Sequence, residues 1–319
     1  MINNNVIAGI KPTGSIHIGN YCGAIRPFIQ SSTQNQQDHY LMIADLHAIT
    51  STVKSKDLVN CTNYMAKALY ALTRNYPNIY VYKQSDIEYL NDIYWVYTNQ
   101  VTIPLLERMH AYKASSKKDA GLCMYAVLMA ADVQSLRCSH VYVGQDQLQH
   151  IELIRTINRR LHSEYNYRSI DPKPVISMPQ VLLGIDGRKM SKSYNNVIDI
   201  FASEAQIRDL VNKIKTTSCP RYAKKDYSSC TLYHIYKGIC QNNNIVEMYE
   251  SGNDWSSVKS YLAKSIHSYL APYREAYEDV DSNTLHKTLK SNARRVTDIV
   301  YSYRNSLYRA LGLHEYNAP

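Results

Sequence analysis

The chain of 319 residues carries a formal net charge of +9, with 45% hydrophobic and 20% charged side chains. This composition is typical of a folded globular protein and excludes a largely disordered one, and no apolar run of about 18 residues could cross a bilayer. The N-terminal segment lacks the basic and apolar regions of a secretory signal, so we expect a cytoplasmic protein. The seven scattered cysteines favour reduced thiols, and the positive charge is compatible with a polyanionic partner.

The first 200 residues alternate between predicted strands and helices. Short apolar runs predict strands at residues 6–10, 39–44, 78–82 and 140–143, and the spacing of apolar residues predicts helices at about 57–72, 88–100, 121–131 and 146–161. Strands separated by helices predict a parallel sheet covered on both faces, which is an α/β fold. Ligands of such sheets bind beyond the carboxyl ends of the strands. After residue 172 we expect a loop region.

Beyond residue 200 the strand signals fade. Helical spacing continues at residues 203–215, 229–241, 255–270 and 284–311. Ser203 is a plausible N-cap, with Gln206 at the capping-box position. We therefore predict an α/β domain over residues 1–200 and a compact helical domain over residues 201–319.

The first candidate phosphate-binding loop follows the first predicted strand and spans residues 12–20, Pro-Thr-Gly-Ser-Ile-His-Ile-Gly-Asn. Glycine lets a phosphate approach the main chain closely, and the start of a helix offers unpaired N–H groups to an anion. His17 and Asn20 add side-chain donors. Taken alone, the same string is equally compatible with a polar turn between a strand and a helix.

A second candidate loop contains Lys189-Met190-Ser191-Lys192-Ser193 and is preceded by the turn-forming pair Asp186-Gly187. Two lysines on a mobile loop can close over a triphosphate and stabilise the charge that develops on the α-phosphorus and the leaving pyrophosphate. The alternative is a solvated basic loop, which most charge runs are.

Together the two loops are far more specific than either alone, and the chain resembles the tryptophanyl-tRNA synthetases of bacterial and organellar type. Their HIGH motif corresponds to His17-Ile18-Gly19-Asn20, and their KMSKS motif is intact at residues 189–193. The resemblance is dense from residue 8 to 200 and thinner afterwards. It implies a Rossmann-like catalytic domain over residues 1–200, a helical tRNA anticodon-binding domain over residues 201–319, and a homodimer.

The resemblance also implies an amino-acid pocket. Residues 125–132 look like the indole-pocket helix, in which Asp132 accepts the indole N–H and Met129 packs on the ring. Residues 141–150 look like the V-x-V-G-x-D-Q-x-Q-H pattern of the tryptophan branch and not the G-G-S-D-Q of the tyrosine branch. Residues 45–50 resemble D-x-H-A-I-T. The implied tryptophan-binding residues are Gly9, His47, Tyr125, Met129, Asp132, Val141, Val143 and Gln147.

For ATP, the resemblance implies contacts from Lys11, Pro12, Thr13, Gly19, Asn20, Gly144, Gln145, Asp146, Val181, Lys189, Met190, Ser191, Lys192 and Ser193. Among these, Lys189 and Lys192 are the implied transition-state clamp, with His17 and Asn20 holding phosphates. Mg²⁺ accompanies ATP, and the spacing of the cysteines gives no reason to expect a structural zinc site. Two departures from the family are Lys11, where glutamine is common, and Ile7, where an aromatic residue often packs on the pocket.

The implied reaction has two steps. L-tryptophan and ATP form tryptophanyl-adenylate and pyrophosphate, and the acyl group then passes to the 3′ end of tRNA(Trp), releasing AMP. Two alternatives stay open. One is a tyrosyl-specific synthetase of the same fold, because a phenol can also donate to Asp132. The other is a non-catalytic relative that binds tRNA or a nucleotide.

Overall fold

The computed structural model describes residues 5–34, 37–50, 54–116, 118–176, 182–218, 223–240 and 242–313. Val181, for which an ATP contact is predicted, lies outside the described residues. The chain forms two compact units. The first comprises the described parts of Met1–Gly14, Phe28–Ser177 and Asp281–Pro319, and the second comprises those of Ser15–Pro27 and Met178–Val280.

The first unit is built on a parallel sheet. Within the described residues its strands are β1 (Asn5–Ile10), β2 (His39–Ile43), β3 (Ile79–Lys83), β4 (Cys138–Val143) and β5 (Lys173–Ile176). They lie in the order β3-β2-β1-β4-β5, and each neighbouring pair is parallel. This is the order of a Rossmann-like sheet, so the predicted fold class is confirmed. The order reverses between β1 and β4, where ligands of such sheets bind beyond the carboxyl ends of the strands.

The four strands predicted from apolar runs are present to within two residues, but the expectation of a loop after residue 172 is wrong at residues 173–176. There the chain forms β5, which pairs with β4. This segment is short, contains Pro174 and is exposed or only partly buried. Because proline cannot donate to a ladder, it is confined to edge positions such as this one. The segment therefore lacks the apolar run by which the other strands were recognised.

The helices include every long segment predicted from apolar spacing. Ser203 caps α10, and its capping box with Gln206 is present. A π-helical segment, Tyr21–Ile25, separates the first two helices. The described helices are α1 (Ile18–Asn20), α2 (Arg26–Gln34), α3 (Asp45–Ala48), α4 (Ser55–Thr73), α5 (Leu90–Thr98), α6 (Ile103–Glu107), α7 (His110–Ala114), α8 (Ala120–Ser135), α9 (Leu148–Tyr165), α10 (Glu204–Asn212), α11 (Thr231–Cys240), α12 (Asn244–Glu250), α13 (Trp255–Glu278) and α14 (Ser282–Ala310).

The last helix, α14, packs in the unit that contains the sheet. Val296, Val300, Tyr303 and Leu307 recur at helical spacing and join the buried core around the strands. Asn292 Nδ2 donates to a backbone carbonyl of the edge strand β3 at 3.0 Å, which satisfies one polar group of that edge. The compact units thus divide the chain elsewhere than at residue 200, and the functional roles assigned to residues 1–200 and 201–319 stay predictions.

In the second unit, α10, α11 and α12 pack against α13. The apolar stripe of α13 consists of Val258, Leu262, Ile266 and Leu270, all buried. The segment Ser15–Pro27 belongs to this unit, and the Arg26 guanidinium donates to the carbonyls of Gly238 and Ile239 at 2.9 and 3.0 Å. These carbonyls lie in the last turn of α11, where a cation is stabilised by the unpaired carbonyls and the helix dipole. Among the described helices, none is both long and apolar enough to cross a membrane.

Leu307→Ala tests the contribution of α14 to the first unit. Leu307 is fully buried, so removing its side chain should lower the free energy of unfolding by about 2–5 kcal/mol. The measurement is urea unfolding followed by circular dichroism. Lys290→Ala, an exposed change on the same helix, should stay within about 0.5 kcal/mol. Equal effects of the two variants would contradict this packing.

Candidate active site

Asp132 on α8 is the most deeply buried of the acids that the structure describes in the first unit, with 3% of its surface exposed. Gln84 Nε2 donates to both of its carboxylate oxygens at 2.9 Å, and His47 Nε2 lies 2.8 Å from Oδ2. Gln84 Oε1 accepts the backbone N–H of His47 at 3.3 Å, which orients the amide so that its NH₂ group faces Asp132. His47 and Gln84 follow the carboxyl ends of β2 and β3, so the fold itself brings this trio together.

The environment of Asp132 leaves room for one more donor. Burial raises the pKa of Asp132, and the hydrogen bonds from His47 and Gln84 act against that shift. The two carboxylate oxygens offer about four acceptor positions, of which three are used by Gln84 and His47. His47 Nδ1 is also buried and has no hydrogen-bond partner among the described residues.

Tyr125 lies beside this trio and carries contacts on several sides of its ring. Its ring centre is 4.5 Å from that of His47 and 5.4 Å from that of His150. The Lys11 ammonium lies 4.4 Å from the ring centre, a cation–π distance. Burial, and then the negative charges of Asp132 and Asp146, raise the pKa of Tyr125 to about 12. The phenol is therefore neutral at pH 7, when its hydroxyl is both a donor and an acceptor.

Gln147 is held at the start of α9 by two neighbours. His150 Nδ1 lies 2.7 Å from Gln147 Oε1, and Gln147 Nε2 donates to Asp146 Oδ2 at 2.6 Å. Burial is the main cause that lowers the pKa of His150 to about 4. At pH 7 the ring is neutral, and since Gln147 Oε1 can only accept, Nδ1 carries the proton. The amide of Gln147 thus has a fixed orientation beside the carboxylate of Asp146.

Lys11 occupies the point where the sheet order reverses. It follows the last residue of β1, and Gly144 follows the last residue of β4. Burial lowers the pKa of Lys11, while the charge of Asp146 acts in the opposite direction. This departure from the family thus places a half-buried cation over Tyr125 at the expected ligand crevice of the sheet.

The apolar residues predicted for the tryptophan pocket lie on elements around the same crevice. Val141 and Val143 alternate along β4 and are both buried in the core cluster, and Met129 packs against that cluster from α8. Gly9 is exposed near the end of β1. A Cβ at Gly9 would lie 3.1 Å from Met42 Cε, so a side chain there would crowd β2.

In the second unit, the HIGH motif forms a reciprocal cap at the start of α1. His17 Nδ1 accepts the N–H of Asn20 at 3.2 Å, and Asn20 Oδ1 accepts the N–H of His17 at 3.4 Å. A Cβ at Gly19 would lie 2.9 Å from His17 Nδ1, so a larger residue would push the imidazole away. Because Nδ1 accepts, the proton of the neutral ring is on Nε2, which is the nitrogen able to donate to a phosphate.

The KMSKS motif lies next to the HIGH motif within this unit. Ile18 N–H donates to the Ile198 carbonyl at 2.9 Å, and Ile200 N–H donates to the Ile16 carbonyl at 3.1 Å. Burial and, second, the charge of Lys192 lower the pKa of His17 to about 4. The first loop is therefore held by backbone pairing between residues 16–18 and residues 198–200, which follow the KMSKS motif, and a Cβ at Gly19 would lie 3.4 Å from Met190 Sδ of that motif.

A short hairpin presents the lysines of the KMSKS loop. Leu183 and Lys189 form an antiparallel bridge, and Gly187 turns the chain with a φ of +80°, a conformation that favours glycine. Met190 is buried, with 4% of its surface exposed, whereas Lys189 and Lys192 are exposed. The methionine thus anchors the loop, and the lysines on either side of it are exposed.

The structure places the predicted ATP-binding residues in both units. Lys11, Pro12, Thr13, Gly144, Gln145 and Asp146 belong to the first unit, and Gly19, Asn20, Lys189, Met190, Ser191, Lys192 and Ser193 belong to the second. Residues 144–146 are exposed at the carboxyl end of β4. Among the described residues, no group of three or more His, Cys, Asp or Glu side chains could hold a metal ion.

Two polar residues of the site, Gln84 and Asn196, were not predicted from the sequence. Both are almost fully buried, with 1% of their surfaces exposed. The position of Gln84 directly after the third strand is a signal that could have identified it, because side chains at the carboxyl ends of parallel strands meet at one edge. Asn196 lies in a polar loop sequence that offers no comparable signal.

A Rossmann-like sheet with paired HIGH and KMSKS loops defines a class I aminoacyl-tRNA synthetase. The sequence model of the family "tRNA synthetases class I (W and Y)" matches residues 3–276. This family includes enzymes for both tryptophan and tyrosine, so the match by itself leaves the amino acid open.

Similar proteins specify the branch. A tryptophan–tRNA ligase of Xanthomonas campestris pv. campestris is 33% identical over 310 residues, which cover 91% of this chain and 72% of that protein. One from Campylobacter jejuni is 31% identical and covers 97% of this chain and 99% of that protein. The crystal structure of a Campylobacter jejuni tryptophanyl-tRNA synthetase with ADP and tryptophan has a TM-score of 0.89 at 30% identity, covering 97% of this chain and 100% of that one. The chain belongs to the tryptophan–tRNA ligases of this family.

The pKa of His17 tests the pairing of the two loops. In the wild-type chain it should be about 4, and Lys192→Ala should raise it, although burial should keep it below the ordinary value of 6.5. The measurement is an NMR titration of the imidazole protons. Lys189→Ala serves as the control and should leave the pKa unchanged, since that lysine is not a cause of the shift. An unchanged pKa in Lys192→Ala would show that the two loops are apart in solution.

Proposed function

We propose that the chain is a tryptophan–tRNA ligase that forms tryptophanyl-adenylate from L-tryptophan and ATP and transfers the acyl group to the 3′ end of tRNA(Trp). The observation that supports this most directly is the buried carboxylate of Asp132, held by Gln84 and His47 with one acceptor position to spare. The family relationship supports the same reaction. Because the carboxylate is already fixed, little conformational freedom is lost when an indole N–H binds to it.

Asp132 discriminates against apolar amino acids. A phenylalanine side chain would cover the carboxylate without donating to it, and a buried acceptor without its partner is costly. Tyrosine is a harder competitor, because its hydroxyl can donate to the same oxygen. Val141, Val143 and Met129 supply apolar surface for an indole, and Tyr125 with Gln147 supplies polar groups for the amino-acid end.

In the first step, a carboxylate oxygen of tryptophan bonds to the α-phosphorus of ATP, and the bond from that phosphorus to the pyrophosphate oxygen breaks. No protein nucleophile is needed, so positioning and charge stabilisation provide the acceleration. Lys189 and Lys192 supply positive charge for the leaving pyrophosphate. His17, with its proton on Nε2, and Asn20 supply hydrogen-bond donors to phosphate oxygens.

The other ATP contacts follow from the family resemblance. In the first unit they comprise Lys11, Pro12, Thr13, Gly144, Gln145 and Asp146. In the second unit they comprise the residues of the HIGH and KMSKS motifs, and Val181 is the remaining contact. Mg²⁺ enters as the ATP complex and is held mainly by phosphate oxygens, which suits an ion that keeps most of its waters and needs few protein carboxylates.

In the second step, a ribose hydroxyl oxygen at the 3′ end of tRNA(Trp) bonds to the acyl carbon and the bond from that carbon to the phosphate oxygen breaks. AMP leaves, and the hydroxyl proton passes to its phosphate oxygen or to water. We assign anticodon recognition to residues 201–319, where unpaired bases can be contacted individually. The net charge of +9 is compatible with a polyanionic partner. We also propose a cytoplasmic homodimer, and the exposed side chains of Trp95 and Ile103, at 66% and 60%, support an interface on α5 and α6.

Pyrophosphate exchange tests this function against its alternatives. Isotope from labelled pyrophosphate should appear in ATP when the chain is given L-tryptophan, and the exchange with L-tyrosine or L-phenylalanine should be far slower. Exchange with tyrosine alone would show a tyrosyl-specific enzyme, since the phenol can use the same acceptor. The absence of exchange with any amino acid would show a non-catalytic relative.

Lys192→Ala tests the role of the KMSKS loop. The rate of adenylate formation should fall by about 10²–10³-fold, because a charge that stabilises the transition state is removed. Tryptophan affinity should be nearly unchanged, since the tryptophan residues proposed above do not include this lysine. The two quantities are measured by single-turnover adenylate formation and by equilibrium binding of tryptophan. A comparable loss in both would indicate a structural role for the loop.

A further inference from the structure

The side-chain amide of Asn196 links several points of the KMSKS hairpin. Its Oδ1 accepts the N–H of Ser191 at 2.7 Å, and its Nδ2 donates to the Lys189 carbonyl at 3.0 Å and to Asp186 Oδ1 at 2.7 Å. The backbone carbonyl of Asn196 accepts the N–H of Ile185 at 3.1 Å. Both amide hydrogens and the amide oxygen are thus used, at a residue with 1% of its surface exposed.

These bonds fix the backbone on both sides of Met190. The bonds to Lys189 and Ser191 hold the two peptide groups that flank the buried methionine, so the direction in which the chain leaves toward Lys192 is set by Asn196. Lys189 is itself one of the residues whose backbone Asn196 holds, so the position from which its side chain extends is fixed as well. Only an amide can accept from Ser191 and donate to two oxygens at once.

Gly184, on the opposite strand of the hairpin, leaves space for this amide. A Cβ at Gly184 would lie 2.4 Å from Asn196 Cγ and Nδ2 and 2.6 Å from its backbone oxygen. Glycine is therefore required at position 184 by close approach. The missing side chain leaves the space in which the Asn196 amide packs against the backbone.

Asp186 connects the amide to the turn of the hairpin. Its carboxylate accepts from Asn196 and from the backbone and side chain of Arg188, and the guanidinium is 2.7 Å away. The hydrogen bond from Asn196, ahead of those from Arg188, lowers the pKa of Asp186 to about 2. The bond from Nδ2 is therefore charge-assisted at neutral pH.

We infer that Asn196 is a positioning residue for the reaction, which holds Lys189 and Lys192 in place through hydrogen bonds to both sides of Met190 and to Asp186. Its catalytic consequence rests on the proposed function, whereas its effect on the hairpin does not. Loss of these bonds should lower kcat for adenylate formation and leave KM for tryptophan nearly unchanged, because the contribution of the lysines is made in the transition state.

The test compares Asn196→Asp with Asn195→Gly. The aspartate keeps the shape and the acceptor for Ser191 but loses both donors and brings a carboxylate next to Asp186. Asn195 is the adjacent, exposed asparagine, and its φ of +50° is a conformation that glycine adopts readily. In pyrophosphate exchange, Asn196→Asp should lower kcat by about 10–100-fold with less than a twofold change in KM for tryptophan, and Asn195→Gly should match the wild type.

Rescue provides a readout that general damage would not give. In the double variant Asp186→Asn with Asn196→Asp, the amide and the carboxylate change places, so the bond between positions 186 and 196 forms again and the like-charge repulsion disappears. The double variant should recover part of the lost kcat. If it is no better than Asn196→Asp alone, the bond to Asp186 is not part of the positioning device.

Limited trypsin digestion measures the hairpin without any activity. The loop offers cleavage sites after Arg188, Lys189 and Lys192, and mass spectrometry locates the cuts. Cleavage there should be faster in Asn196→Asp than in the wild type and Asn195→Gly, at equal melting temperature. Equal cleavage in all three would overturn the inference even if the wild type shows no exchange and the proposed function fails. Faster cleavage with an unchanged kcat would overturn the catalytic part.

Discussion

The backbone pairing of residues 16–18 with residues 198–200 is the constraint that holds the HIGH motif beside the segment that follows the KMSKS motif. It joins two segments that are far apart in the sequence. Each of the signature loops alone is a common kind of polar turn. Side by side, they place an imidazole that donates through Nε2 near the charge of Lys192. The two motifs are therefore informative about function only together, when the structure brings them close to each other.

The amino-acid pocket follows a different principle, in which the chemistry is set by burial. Asp132 is kept as an acceptor by Gln84 and His47, against a burial that favours its protonated form. Gln84 in turn is oriented by the backbone of His47. The specificity for a ring N–H that we propose thus depends on a series of oriented side chains that begins at the ends of two neighbouring strands.

The sequence was sufficient to predict those strands and helices whose burial produces a local pattern of apolar residues. Apolar runs identified β1 to β4 because strands inside a parallel sheet are covered on both faces, and helical spacing identified α13 and α14 because each helix buries one face. It was insufficient for features that depend on residues distant in the sequence. β5 is recognisable only by its neighbour β4. The packing of α14 with the sheet leaves no mark on its helical spacing, and Asn196 is distinguished only by the space at Gly184.

The position of α14 has a consequence for the order in which the protein can fold. Its side chains Val296, Val300, Tyr303 and Leu307 are part of the core around the sheet, and the strands of that sheet are synthesised much earlier than this helix. While the ribosome is still translating the second unit, that core lacks the apolar side chains of α14. Until α14 has been synthesised, the apolar side chains that it covers therefore lack this packing partner.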